Sequence, residues 1–196
     1  MNKQHFLNRF ILQQNNLTEE TSSFNYSFNH QKTLKKAAVL MPLIQRKNGL
    51  HMILTQRALH LKHHPGQVSF PGGRYETIDN TLANTALRET EEEIGIQQNN
   101  IEIVGKLPSL ITNSGYHVTP FVGFVDDAER VIIDQSEVKM CFEVPFAYLL
   151  NRKNFTKQYL VANKTRHFTY CCAYQNHLIW GATAQMLINL QRHIAR

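Results

Sequence analysis

Three glutamates, Glu89, Glu92 and Glu93, stand at i, i+3 and i+4 in the stretch ALRETEEEIG. On a helix advancing about 100° per residue they share one face. Like charges placed this way repel by roughly a few tenths of a kcal/mol per pair. Two arrangements accommodate them: a solvated acidic face, or a hard divalent cation, since Mg²⁺ prefers carboxylate oxygens and keeps positions open for phosphate. Two neighbouring features bear on the choice. Gly72-Gly73, preceded by Phe70-Pro71, lets the backbone turn sharply and approach a ligand closely. Arg88, beside Glu89 and one turn from Glu92, either orients a carboxylate through a charge-assisted hydrogen bond or forms an ordinary surface ion pair.

The elements that must position these residues follow from periodicity and punctuation. AAVLMPLI (37–44) and LHMILTQR (50–57) read as strands, and Asn48-Gly49 between them signals a hairpin turn. Pro42 weakens the first run or places it at a sheet edge. The segment ALHLKHHPGQVSFPGG has no clean period, and irregular loops of that length tend to be functional. Residues 81–94 read as a helix, capped by Thr81, Asp79 or Asn80 and stopped at Gly95, with Ala83, Leu87 and Ile94 as its apolar stripe. IEIVGKL, HVTPFVGFV, EVKMCFEV and parts of 155–174 are strand-like. PFAYLLN reads as a short helix and WGATAQMLINLQRHI as a C-terminal amphipathic one. Hairpins mixed with helices favour an α+β or layered α/β/α domain. Residues 1–33 differ in texture: Phe6, Leu7, Phe10 and Ile11 stand at helical spacing, and the rest is rich in polar residues. We therefore expect an N-terminal extension over 1–33 and one main domain over 34–196.

The chain has 196 residues, 42% hydrophobic and 18% charged, which fits a globular domain and excludes wholesale disorder or a coiled coil. No apolar run is long enough for a membrane span, and the N-terminus does not read as a secretory signal. Three cysteines, two of them adjacent, form no disulfide framework, so reduced thiols and a cytoplasmic location are expected. The formal charge of +6 favours anionic partners without choosing among nucleic acid, lipid and phosphorylated metabolites. The short basic pairs Lys35-Lys36 and Arg46-Lys47 are no nucleic-acid arm. His60, His63 and His64 lack a thiolate partner and read as loop histidines near an anion.

The run from Gly73 to Ile96 resembles the Nudix box, G-x5-E-x7-R-E-U-x-E-E-x-G-U, with Arg88, Glu89, Glu92, Glu93, Gly95 and Ile96 in matching positions. It departs from it in three places: the glycine-to-arginine spacing is one residue longer, Thr90 replaces an aliphatic residue, and Asp79 lies near the first glutamate's place. A second run, Ile53-Leu54-Thr55-x-Arg57-Ala58-x3-Lys62-x3-Gly66-x3-Phe70-Pro71-Gly72-Gly73, resembles the signature of the coenzyme A diphosphatase branch of Nudix hydrolases, LLTxR[SA]-x3-R-x3-G-x3-FPGG.

The resemblance implies an α/β fold of the Nudix type, an α/β/α sandwich with a mixed sheet and a loop–helix–loop catalytic motif. It implies a divalent cofactor, Mg²⁺ or Mn²⁺, with Glu89 and Glu93 as direct ligands, Glu92 as a further ligand or water contact, and the Gly73 carbonyl as a backbone ligand. Arg88 would hold the glutamates. The implied substrate is coenzyme A, free, acylated or oxidised, cleaved to 3′,5′-ADP and 4′-phosphopantetheine or its derivative. Arg57, Lys62 and Gln67 would contact its phosphates or shape their pocket. Tyr116, in SGYHVTP, either lines the substrate side or belongs to the core. The general base stays open between a box glutamate such as Glu92 and a loop carboxylate outside the box. Neither nucleic acid nor membrane is an expected partner. Two other functions remain: a Nudix pyrophosphatase for other nucleotides or capped RNA, and a non-catalytic Nudix ligand-binding module.

Overall fold

The hairpin at 37–57 forms as expected, and its first strand becomes the middle of the molecule. Lys35–Arg46 (β1) pairs antiparallel with Gly49–Arg57 (β2), and Arg46 faces Gly49, so Lys47 and Asn48 make the turn. Gly49 has φ +118°, a conformation that favours glycine. The structure is a computed structural model and describes residues 1–14, 34–126, 128–162 and 165–195. Most of the polar stretch of the expected N-terminal extension, residues 15–33, lies outside the described residues.

The remaining elements follow in chain order. Lys3–Gln14 (α1) precedes the hairpin; Val68–Ser69 (β3) and Gly72–Arg74 (β4) follow it. Then come Leu82–Ile94 (α2), Ile101–Lys106 (β5), Leu110–Ile111 (β6), Tyr116–Val125 (β7), Val138–Pro145 (β8) and Phe146–Leu150 (α3). Phe155–Ala162 (β9), Thr165–Tyr174 (β10), His177–Trp180 (β11) and Gly181–Ala195 (α4) complete the chain. The main sheet is mixed, ordered β3-β2-β1-β7-β5, with β4 beside β1, β6 beside β7 and β8 beside β2. β9, β10 and β11 form a second, antiparallel sheet.

Pro42 corrects one expectation. It lies inside a central strand, not at an edge, because β1 runs parallel to β7 from Lys35 to Ile44. On its other side β1 changes partner, from β4 at Ala37–Val39 to β2 at Leu43–Arg46. The Leu40 N–H on that side donates to Pro71 O at 2.9 Å. Two residues on, Pro42 shares that side and falls in the gap between the two partners. Its missing N–H therefore removes no ladder bond.

β1 is buried on both faces, which explains its nearly continuous apolar run. One face packs Ala38, Leu40, Ile53 and Phe121 against Ala86, Ile94 and Ile96 around α2. The other packs Met41, Leu54 and Phe124 against α1, α3 and α4 through Phe6, Phe10, Phe146, Leu149 and Leu190. Helices thus cover both faces of a mixed sheet, which is the α/β/α sandwich expected. α4 is buried around almost its whole circumference because β10 and β11 pack against it. Thr183 Oγ1 ties its first turn to the sheet by donating to Val68 O at 3.1 Å. Among the described residues no helix is long and apolar enough to cross a membrane.

α1 docks through aromatic side chains. Phe6 is fully buried, stacks on Phe10 at 5.3 Å between ring centroids, and meets Phe124 and Phe146 edge-on, each at 5.6 Å. Asn2 caps this helix by accepting from the His5 N–H at 2.9 Å. Phe6→Ala should cost about 3–5 kcal/mol in urea unfolding, since a cavity forms under three rings. A loss below about 1 kcal/mol would mean that α1 contributes little to the core.

Candidate active site

α2 starts where Thr81 accepts from the Asn84 N–H, and it ends at Gly95, whose φ of +71° is left-handed. Of the three cap candidates Thr81 caps the helix; Asp79 has another task. It ends a 3₁₀ turn, Thr77–Asp79, and its side chain is buried. Its carboxylate accepts from Arg88 Nε at 2.6 Å and Arg88 Nη2 at 3.1 Å, from the Glu76 N–H at 2.9 Å and from Thr85 Oγ1 at 2.8 Å. The Arg88 guanidinium thereby holds the Asp79 carboxyl well below the usual carboxylate range, and Asp79 in turn raises the Arg88 pKa.

With Nε and Nη2 committed to Asp79, Arg88 turns Nη1 toward the acidic run. Nη1 lies 3.0 Å from Glu89 Oε1 and donates to Glu92 Oε2 at 2.8 Å. Nη2 also donates to Arg74 O at 3.3 Å, which ties α2 to β4. One arginine thus connects the 3₁₀ turn, β4 and two of the three glutamates.

Spacing puts the three glutamates on one arc, but packing separates them. Glu93 is buried, Glu89 is partly covered, and the Glu92 side chain is 58% exposed. The expected stripe of Ala83, Leu87 and Ile94 is correspondingly displaced. The fully buried line of α2 runs through Thr85, Ala86, Thr90, Glu93 and Ile94, while Ala83 and Leu87 are only partly buried. Thr90 serves in place of an aliphatic residue because its hydroxyl donates to Ala86 O at 2.6 Å, leaving the methyl to pack.

Glu89 lies directly against Gly73: a Cβ there would overlap the Glu89 carboxylate. Glu93 faces the neighbouring backbone, with the Gly72 N–H donating to it, and Arg57 stands close enough to stabilise its charge. Burial nevertheless pushes the Glu93 carboxyl up to about 8, with help from Glu89 and Glu137; burial raises Glu89 as well. Glu93 Oε2 and Arg57 Nε are both buried without a hydrogen-bond partner.

Glu137, immediately before β8, was not singled out in the sequence, where it is only the first residue of a strand-like run. It acts electrostatically on both Glu89 and Glu93. The Ala58 N–H donates to its carbonyl at 2.8 Å, which fixes it beside the end of β2.

The other predicted residues lie further out. Residues 58–67 form a loop closed at its base, where the Arg57 N–H donates to Gln67 O at 3.0 Å and the Gly66 N–H to Arg57 O at 3.2 Å. Lys62 is exposed on this loop, with His63 and His64 beside it, and His60 Nε2 meets Ser136 O at 3.0 Å. The Gln67 side chain faces Gly181 at the start of α4. Tyr116 packs on the core of the sheet face away from α2, with Lys35 Nζ 5.8 Å from its ring centroid. Fold and packing therefore bring together Arg57, Gly73, Arg88, Glu89, Glu92, Glu93 and Glu137; Gln67 meets Arg57 through its backbone, and Tyr116 packs on the opposite sheet face.

Among the described residues no three Asp, Glu, His or Cys side chains already converge on one point. The residues present nonetheless fit a hard divalent cation. They offer carboxylate oxygens, one of them buried and unpartnered, beside a glycine backbone that no Cβ shields. A cation there would favour the ionised form of both raised carboxyls.

A family model described as NUDIX domain matches residues 34–160. Proteins named uncharacterized Nudix hydrolase NudL, from Yersinia pestis (strain Pestoides F) and Yersinia pseudotuberculosis serotype O:1b (strain IP 31758), are each 37% identical over 190 residues, covering 97% of this chain and 94% of theirs. Among solved structures, a MutT/nudix family protein from Enterococcus faecalis superposes with a TM-score of 0.52 at 16% identity, over 84% of this chain and 63% of that one. The last likeness supports the fold alone.

The Asp79–Arg88 pair generates a stability prediction. An Asp pKa held far below its unfolded value of about 3.9 adds stability above that pH, and the contribution is lost as pH falls toward the folded pKa. Asp79→Asn should lower stability at pH 7 by about 2 kcal/mol, and the gap to the parent should narrow as pH falls below about 4. Denaturant unfolding across that range tests this; a gap that stays constant with pH would show that the charge on Asp79 contributes nothing.

Proposed function

The chain belongs to the Nudix hydrolase family, whose members act on phosphoric anhydrides, and from that premise we propose that its substrate is coenzyme A, free, acylated or oxidised, cleaved at the diphosphate. Nudix hydrolases generally use divalent ions such as Mg²⁺ or Mn²⁺. When bound, such an ion polarises phosphoryl oxygens and lowers the pKa of the attacking water. We assign its ligands to Glu89, Glu93 and the Gly73 carbonyl, with Glu92 in a water-mediated role.

The observation that carries the substrate assignment is the meeting of two motifs. Arg57, from the run 53–73, stands beside Glu93, from the run 88–96, and its Nε is buried without a partner. A diphosphate oxygen supplies the acceptor which that N–H lacks, through a charge-assisted hydrogen bond. The loop closed by Arg57 and Gln67 carries Lys62 into solvent, which suits a second phosphate at a distance from the scissile bond. We assign Lys62 to the 3′-phosphate; Tyr116, on the sheet face away from α2, falls outside the substrate-binding set, and Gln67, whose side chain faces α4, contributes its backbone bond to Arg57.

Arg88 has a positioning role. Its bonds to Asp79 leave only Nη1 for Glu89 and Glu92, so both carboxylates are oriented before substrate arrives. Glu137 is our candidate for the group that accepts the proton of the attacking water. It lies outside the box, is exposed, and acts on both buried glutamates.

Glu89→Gln and Glu93→Gln should each lower turnover by orders of magnitude while the far-UV spectrum stays unchanged; wild-type turnover at saturating metal would remove that residue from the mechanism. With Mg²⁺ or Mn²⁺, a panel of CoA, acetyl-CoA, NADH, ADP-ribose, dNTPs and capped RNA should give the highest kcat/KM on a coenzyme A thiol or thioester. A ranking with CoA lowest would reject the substrate, and no turnover on any member would favour a ligand-binding module.

Arg57→Ala should reduce kcat/KM equally for CoA and 3′-dephospho-CoA. Lys62→Ala should raise KM for CoA alone. The opposite pattern would exchange the two assignments.

A further inference from the structure

On the sheet face away from α2, a cavity of about 220 Å³ opens between α1, the turn after α3 and the end of α4. It is lined by Arg9, Arg152 and Arg192, with Leu150, Gln191 and Ile194 among its other walls. No acidic residue lines it, and among the described residues none of the three arginines forms an ion pair. Arg192 lies in the last turn of α4, where the negative end of the helix dipole favours a cation. Arg9 and Arg152 come from other elements and have no such compensation from α4. Three arginines lining one concavity raise the local potential, and an anion that accepts from their N–H groups lowers it.

Gln191, 4% exposed, is held in the cavity wall by its Nε2 donating to Leu149 O at 2.5 Å, which fixes the end of α4 beside Arg192. The cavity also lies below the ~300 Å³ at which pockets for drug-sized ligands begin. Acceptor oxygens for three arginines and small size describe a phosphate.

We propose that Arg9, Arg152 and Arg192 form a binding site for a small phosphate, separate from the acidic site on α2. Such a ligand would bridge α1 and the turn after α3 to the end of α4, three elements that close the same core.

The test uses the full chain without divalent metal, titrated with inorganic phosphate at ionic strength held constant with sodium chloride. The unfolding temperature should rise saturably with phosphate. Arg152→Gln and Arg192→Gln, both exposed positions, should each weaken the apparent affinity roughly tenfold, whereas Arg57→Gln, on the other sheet face, should leave it unchanged. A parallel titration with glycerol phosphate separates an esterified from a free phosphate; saturation by either supports the site. A rise no larger than with sodium chloride alone would overturn the proposal. So would equal binding by the parent and both cavity variants, or loss of binding in Arg57→Gln, which would place the phosphate at the acidic site instead.

Discussion

Two carboxylates of like sign one helical turn apart, both taken out of bulk water, are the constraint around which the catalytic side of this protein is built. Burial raises the pKa of Glu89 and Glu93; Glu89 adds to the load on Glu93, and Glu137 to the load on both. Left alone, such a pair would protonate or pull apart. What opposes this comes from every neighbouring element: Arg57 at the end of β2, the Gly72 N–H at β4, and Arg88 on α2 itself. None of the three neutralises the pair completely, because Arg88 is largely committed to Asp79. A divalent cation at this position, as we propose, would supply the missing positive charge.

Arg88 and Asp79 show how this constraint propagates. Asp79 satisfies its carboxylate with four donors from the 3₁₀ turn and α2, so the loop before the helix cannot shift without breaking several bonds. That rigidity brings Gly73 against Glu89, where even one added carbon would collide. Among the described residues the other sheet face buries polar side chains of α4 but no carboxylate. Its aromatic cluster and the nearly encircled α4 supply apolar burial that offsets the cost on the α2 side.

Much of this was legible in the sequence, for reasons that can be separated. The α2 helix, its stop at Gly95 and the alignment of Glu89, Glu92 and Glu93 follow from local spacing and backbone chemistry, and the structure keeps them. The hairpin over 37–57 was legible for the same reason, with the turn at Lys47-Asn48, one residue before the expected Asn48-Gly49 pair. What spacing could not tell is which of the three glutamates faces inward, because that depends on where the sheet lies relative to the helix. Pro42 was misplaced because its tolerance depends on a change of strand partner that no local pattern encodes. Asp79 looked like a defective glutamate, yet its shorter side chain reaches Arg88 from a 3₁₀ turn. Glu137 is the plainest omission: it is brought to the site only by the pairing of β8 with β2, a contact between segments some eighty residues apart.

The positive charge of the chain reads differently once the fold is known. A formal +6 was compatible with nucleic acid, lipid or metabolite. A surface dedicated to a polyanion would spread lysines and arginines along one continuous face. Here the cations nearest the acidic site are Arg57 and Arg88, partly covered and each facing a glutamate, while Arg9, Arg152 and Arg192 gather at a cavity on the opposite side of the sheet. Small separated clusters on opposite faces match small anions better than a long one. The sheet between them is packed on both sides, so the two clusters do not share a ligand. These two clusters hold five of the 21 lysines and arginines, and we read both as sites for phosphate.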